Sequence, residues 1–312
     1  MPPCDPQCVG AADARALHKA IYGAGTDDAT LISILASHDN SQLMDIRAAY
    51  EAGFALVDDI KGDTYGSYER LLVGLVTERD ILEAQYIREA VQGAGTDEDI
   101  LIDIIMSRTP EELRAISDMY QTQYSRDMAE DVLGEFKFKG KLKKVFAAAL
   151  AMNRETGPTV DADRVQQDIE ELHKATKGLG TDESAVFEVL FSRSVPHLRE
   201  VFAGYEEAYG KTVRDVMKSE FKAKVEDAVV ACVDWVTDPS LSAAVMIHRA
   251  IKGLGTNEKR LECALATRYD LDGGNIALAY DTKYGPGQCV KDIKGDLTGT
   301  IEKLCLALLK LE

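Results

Sequence analysis

Four short loops carry the residues whose types and spacing can do chemistry: Gly23-Ala24-Gly25-Thr26-Asp27, Gly93-Ala94-Gly95-Thr96-Asp97, Gly178-Leu179-Gly180-Thr181-Asp182 and Gly253-Leu254-Gly255-Thr256-Asn257. Roughly forty residues after each comes an acidic residue in a short polar stretch, namely Asp63, Glu135, Glu220 and Asp296. Two glycines one residue apart let the chain curl, so that carbonyls of the glycines and of the residue two before the first can converge. Such oxygens with one bidentate carboxylate suit a hard cation such as Ca2+, which takes about six to eight oxygen ligands. One formal negative charge per site leaves positions for water or an outside oxygen, and the affinity expected of the protein alone is on the order of 10⁻⁵–10⁻³ M. A single Gly-x-Gly-Thr is more often a helix C-cap followed by an N-cap; four copies with four matching carboxylates favour the cation.

Other chemistries fit less well. The loops lack the Gly-Lys-Ser/Thr ending of a phosphate loop and the third glycine of a dinucleotide turn. Asp270-Leu271-Asp272-Gly273 lacks the later ligands of a twelve-residue calcium loop and reads as an interhelical turn. The five histidines, His18, His38, His173, His197 and His248, show no triad or metal spacing, so neither catalysis nor a small-molecule substrate is expected. A net charge of −17 argues against nucleic acid. No apolar run approaches the ~20 residues of a membrane span, and the first ten residues carry no signal-like stretch. The expected location is therefore the cytoplasm. Cys232, Cys263 and Cys305 lie in apolar runs and read as small core hydrophobes, whereas Cys4 and Cys8 have no partner pair with metal-ligand spacing.

The elements that must position the loops are helical. Helix formers dominate, strand-like alternation is scarce and only eight prolines occur, so the fold class is all-α. In the first unit the predicted helices run Asp13–Tyr22, from Thr26 as cap onward, Ser41–Glu51, Ala55–Lys61 and Ser67–Val76, with Asp63 in the loop between the last two. Leu17 and Ile21, then Leu31, Ile32 and Leu35, supply the buried faces. The chain divides into a tail (1–12), four repeats of five helices (13–79, 80–153, 164–237 and 238–312) and a linker (154–163) containing Gly157-Pro158. That linker predicts two pairs of repeats, the first with the second and the third with the fourth.

Through the loops GAGTDD, GAGTDE, GLGTDE and GLGTNE, and through segments such as Ser107-Arg108-Thr109-Pro110-Glu111-Glu112-Leu113-Arg114 and Ser192-Arg193-Ser194-Val195-Pro196-His197-Leu198-Arg199, the chain resembles an annexin over nearly its whole length. The resemblance implies a slightly curved helical disc whose convex face carries the calcium loops and docks reversibly on acidic phospholipid. Carried over, the ligands are the carbonyls of Ile21, Gly23 and Gly25 with Asp63; of Val91, Gly93 and Gly95 with Glu135; of Thr176, Gly178 and Gly180 with Glu220; and of Ile251, Gly253 and Gly255 with Asp296. Leu179 and Leu254 at the loop tips, with Lys177 and Lys252 beside them, are the expected membrane contacts, so the third and fourth repeats should grip hardest. The function implied is calcium-dependent membrane binding, peripheral at the inner face when calcium rises, with a cytoskeletal protein as a second partner. The alternative is a self-associating structural protein that organises cytoskeleton and membrane, in which calcium is secondary.

This sequence departs from the family pattern in places. Thr26 and Asp63 are 37 positions apart, against 39 in the second and third repeats and 40 in the fourth, which leaves the first site's geometry in question. Lysines follow Glu135 and Glu220 (Lys137, Lys139, Lys222, Lys224), where a lipid phosphate or plain solvent would meet them.

Overall fold

The structure is a computed structural model that describes residues 10–22, 25–93, 95–136, 140–178, 180–253, 255–271 and 273–311. Among these residues the chain forms twenty α-helices and one short 3-10 turn, with no strand. Gly23, Ala24, Ala94, Lys137, Phe138, Lys139, Leu179, Leu254, Asp272 and the cysteines Cys4 and Cys8 lie outside the described residues.

Each repeat uses five helices in the same order. The first contains α1 (Ala11–Ile21), α2 (Asp28–Ser37), α3 (Asn40–Glu51), α4 (Leu56–Asp63) and α5 (Gly66–Leu75); the second, α6 (Arg79–Val91), α7 (Glu98–Ile105), α8 (Pro110–Tyr124), α9 (Met128–Glu135) and α10 (Gly140–Leu150). The third contains α11 (Ala162–Thr176), α12 (Glu183–Ser192), α13 (Val195–Tyr209), α14 (Val213–Glu220) and α15 (Ala223–Thr237). The fourth contains α16 (Pro239–Ile251), α17 (Glu258–Arg268), the 3-10 turn Tyr269–Leu271, α18 (Gly273–Tyr284), α19 (Gln288–Asp296) and α20 (Thr300–Leu308). Apolar residues three and four apart turn one face of each helix inward: Leu17 with Ile21, Leu31 with Leu35, Leu43 with Ile46 and Tyr50, and Leu56 with Ile60 are all buried. Cys232, Cys263, Cys289 and Cys305 are buried, and none of them is in a disulfide.

Two sequence expectations need correction. Thr26 does not cap α2; the cap is Asp27, whose carboxylate accepts from the backbone N–H of Thr30. Asp97, Asp182 and Asn257 do the same for α7, α12 and α17. A carboxylate at a helix N-terminus also meets the positive end of the helix dipole, and each threonine hydroxyl is released for another partner. The acidic residues, in turn, are not in loops: Asp63, Glu135, Glu220 and Asp296 are each the last residue of a helix.

The pairing of repeats also differs from the expectation. Residues 1–83 and 243–312 form one compact unit and residues 84–242 the other, so the first repeat shares a unit with the fourth and the second with the third. Within the first unit α2 packs on α20 and α17 on α5; within the second, α7 packs on α15 and α12 on α10. Charge follows this packing. Arg70 on α5 reaches Glu258 at 2.9 Å and Glu262 at 2.7 Å on α17, Lys224 on α15 reaches Asp99 on α7 at 2.7 Å, and Lys141 on α10 pairs with Glu183 on α12. Burial pushes the Glu262 carboxyl up, and Arg70 offsets this only in part. The first residue of α18 must be glycine, because a Cβ on Gly273 would lie 1.7 Å from the Leu308 carbonyl oxygen.

Candidate metal centres

The distant carboxylates and the loops meet in every repeat. Thr26 Oγ1 donates to Asp63 Oδ2 at 2.6 Å, Thr96 Oγ1 to Glu135 Oε2 at 3.0 Å and Thr181 Oγ1 to Glu220 Oε2 at 2.8 Å, while Thr256 donates to Asp296. The first repeat keeps this bond despite its shorter separation, because α3 has 12 residues where α8 and α13 have 15. The fourth repeat keeps it despite its longer one, with the 3-10 turn following α17.

A second bond closes each loop. The backbone N–H groups of Asp27, Asp97, Asp182 and Asn257 donate to the carbonyls of Ala20, Ala90, Ala175 and Ala250 at 2.8–2.9 Å. The chain thus turns back on the last turn of the first helix, and the next carbonyl, that of Ile21, Val91, Thr176 or Ile251, has no helical N–H ahead of it. Those four are the last residues of α1, α6, α11 and α16. The described loop glycines Gly25, Gly93, Gly95, Gly178, Gly180, Gly253 and Gly255 are exposed. The second glycine of each loop has φ between 84° and 120°, a region closed to most side chains, so its identity is dictated by the turn. Asp63 and Glu220 are half-buried, Glu135 and Asp296 exposed. No group of three or more His, Cys, Asp and Glu gathers among the described residues, so each loop offers one carboxylate and backbone oxygens.

One turn below the carboxylates lies a network that the sequence reading missed. Tyr50, Tyr120 and Tyr280 donate to Asp59, Asp131 and Asp292 at 2.7–2.9 Å, and each aspartate stands four residues before a carboxylate at a helix end. The first helix of the repeat adds a partner in each case: Arg88 to Asp131 at 3.1 Å from within α6, and, just past α1 and α16, Tyr22 to Asp59 at 2.7 Å and Lys252 to Asp292 at 2.6 Å. The third repeat has Val216 at this position and lacks the aspartate. Burial alone would raise the Asp292 carboxyl, but hydrogen bonds from Lys252, Tyr280 and Gln288 outweigh it and hold it below the usual carboxylate range. The signal available in the sequence was the acidic residue one helical turn before three of the four ligand candidates.

The lysines expected at a membrane divide accordingly. Lys252 is engaged with the buried Asp292, whereas Lys177 is exposed beside a repeat that has no such aspartate. Lys224 pairs with Asp99 and Asp227, and Lys222 Nζ folds back to the Ser219 carbonyl at 3.3 Å near the end of α14.

Four five-helix repeats, each setting a curled loop beside a helix-end carboxylate, define an all-α repeat protein. The family model described as Annexin matches residues 12–75, 83–149, 167–232 and 242–308. Human annexin A4 is 37% identical over 299 residues, which cover 95% of this chain and 93% of that protein. The solved structure of annexin III, 34% identical, superposes with a TM-score of 0.85 over 98% of this chain and 95% of its own. Calcium-bound annexin (Sm)1, at 24% identity, shares the fold with a TM-score of 0.85 over 99% of this chain and 93% of its own. The chain belongs to the annexin family, whose members bind calcium and acidic phospholipid membranes.

Proposed function

We propose that this protein binds acidic phospholipid membranes reversibly and only with calcium, without catalysing a reaction. One observation carries the reading: all four carboxylates sit at the C-terminal ends of helices, each held by the threonine of a curled loop. Negative charge is disfavoured at that end of the helix dipole, so four such placements store an attraction that a divalent cation would satisfy. The ligands are the carbonyls of Ile21, Gly23 and Gly25 with Asp63, of Val91, Gly93 and Gly95 with Glu135, of Thr176, Gly178 and Gly180 with Glu220, and of Ile251, Gly253 and Gly255 with Asp296. Lipid phosphate completes the shell. Lys177 adds a cationic contact, and Leu179 and Leu254 enter the headgroup region. On this reading the protein works in the cytoplasm, moves to the inner membrane face when calcium rises and can tether a cytoskeletal protein there.

Sedimentation with phosphatidylserine-containing vesicles tests the reading. Wild type should pellet with calcium and stay in the supernatant with chelator, and the combined variant Asp63→Asn, Glu135→Gln, Glu220→Gln, Asp296→Asn should stay in the supernatant throughout. Equal pelleting of the two proteins would overturn it.

A further inference from the structure

The first repeat exposes a different chemistry beside its loop. Tyr22, directly after α1, is 59% exposed; Phe54, between α3 and α4, is 48% exposed; Tyr65, two residues after Asp63, is 87% exposed. They are three of the six large apolar side chains exposed among the described residues, and single scattered ones would need no explanation. Three around one loop do. The positions equivalent to Tyr22 hold Gln92, Lys177 and Lys252, and those equivalent to Tyr65 hold Lys137, Lys222 and Thr298, so these two rings belong to the first repeat alone. Phe54 has aromatic counterparts in Tyr124, Tyr209 and Tyr284, the last two stacked on His173 and His248 as Phe54 is on His18.

Two of the rings are held in place. Tyr22 donates to Asp59 at 2.7 Å, its ring lies 6.1 Å from that of Phe54, and both pack on His18, at 4.4 Å and 3.8 Å between centroids. Tyr65 lies across the candidate cation site from them in sequence, just beyond the Asp63 carboxylate that accepts from Thr26. Presenting rings already fixed costs little further side-chain entropy.

We infer that Tyr22, Phe54 and Tyr65 form an aromatic anchor that enters the boundary between headgroups and acyl chains when the first calcium loop docks on an acidic bilayer. The inference rests on the calcium-dependent membrane reading above. Tyrosine suits that boundary because its ring is apolar and its hydroxyl stays wet. Tyr22 directly precedes the loop and Tyr65 follows its carboxylate by two residues, and their counterparts include lysines, which suit the phosphates of the same surface. A chain of net charge −17 thereby gains a contact that salt does not screen.

The test places a tryptophan at Tyr65 (Tyr65→Trp) in a Trp235→Phe background, since Trp235 is the chain's only tryptophan. With calcium and vesicles of phosphatidylserine and phosphatidylcholine, emission should shift to the blue and be quenched by brominated acyl chains, and chelator should reverse both. Tyr65→Ser should raise the lipid concentration for half-binding about fivefold, and as much at about 0.5 M salt as at about 0.1 M. Protein that pellets with calcium while its tryptophan stays solvent-like and unquenched would overturn the anchor and leave the calcium reading standing. A blue shift with calcium alone, growing with protein concentration, would assign the patch to a second copy of the chain and overturn it too. Failure to pellet with calcium would overturn the calcium reading and the anchor together.

Discussion

The hydroxyl of Thr181 donates to Glu220 Oε2 at 2.8 Å. It holds one carboxylate oxygen and leaves the other for a cation, as an outer partner does for a metal ligand. Loss of such partners typically costs about 10–100-fold in metal affinity. Thr181→Val should therefore raise the calcium concentration for half-occupancy of the third site about tenfold, and Thr181→Ser should leave it near wild type. Titration calorimetry on a variant whose other three carboxylates are neutralised reads this directly; coincident isotherms for valine and wild type would make the threonine idle.

Lys252 and Lys177 occupy equivalent positions and should behave differently. Lys252→Ala leaves the buried Asp292 without its cation and should cost roughly 1–2 kcal/mol of stability, less than a fully buried pair because the lysine is half-exposed. Lys177→Ala should leave the melting temperature within a degree or so and weaken binding to anionic vesicles, more at low salt than at high. Thermal melts and vesicle titrations on both variants check this; matching effects would deny the division.

In the unit of the second and third repeats, Asp99 beside one loop pairs with Lys224 beyond Glu220, and Glu183 beside the other loop pairs with Lys141 beyond Glu135. Each site is thus tied to the helix that follows the other site's carboxylate. Occupying one should raise the affinity of the other about fivefold, a coupling of ~1 kcal/mol. Lys141→Ala with Lys224→Ala should lower the Hill slope of calcium binding with helical content retained; an unchanged slope would reduce the pairs to packing.

Acid should act through Asp168. Its buried carboxylate accepts from Arg193 at 2.8 and 3.0 Å and lies 2.8 Å from His197 Nε2. Burial alone would raise this carboxyl, but the hydrogen bonds from Arg193 and His197 outweigh it and hold it below the usual range. A depressed carboxylate gives its full stabilisation above the unfolded value of about 3.9 and loses it as pH falls through the folded one. Asp168→Asn should cost ~3 kcal/mol at pH 7, keep that deficit to about pH 5 and approach wild type below about pH 4. Denaturant melts across pH measure it, and a gap still open at pH 2 would mean that shape, not charge, sets the cost.

Much of this was legible in the sequence because helix periodicity and the loop motif are local. Leu17, Ile21, Leu31 and Leu35 are buried as their spacing predicts, and Ile100 and Ile104 repeat the pattern in the second repeat. The cap of α2 is ambiguous in the sequence because threonine and aspartate both serve as caps, and only the distant Asp63 decides which one is released. Pairing of the first repeat with the fourth was hidden because no local signal tells which α5 or α10 face a remote helix will cover. Ion pairs such as Arg70 with Glu262 and networks such as Tyr280 with Asp292 depend on that packing, and the exposure of Tyr22 and Tyr65 depends on knowing which surface stays uncovered.

The central claim is that calcium and acidic lipid complete one coordination shell, so each must raise the other's affinity by the same factor. Calcium isotherms with and without phosphatidylserine vesicles test this most directly. The expected result is a shift of the calcium midpoint to lower concentration with vesicles, and a shift of the lipid midpoint with calcium that corresponds to the same free energy. Isotherms that overlay would contradict the account.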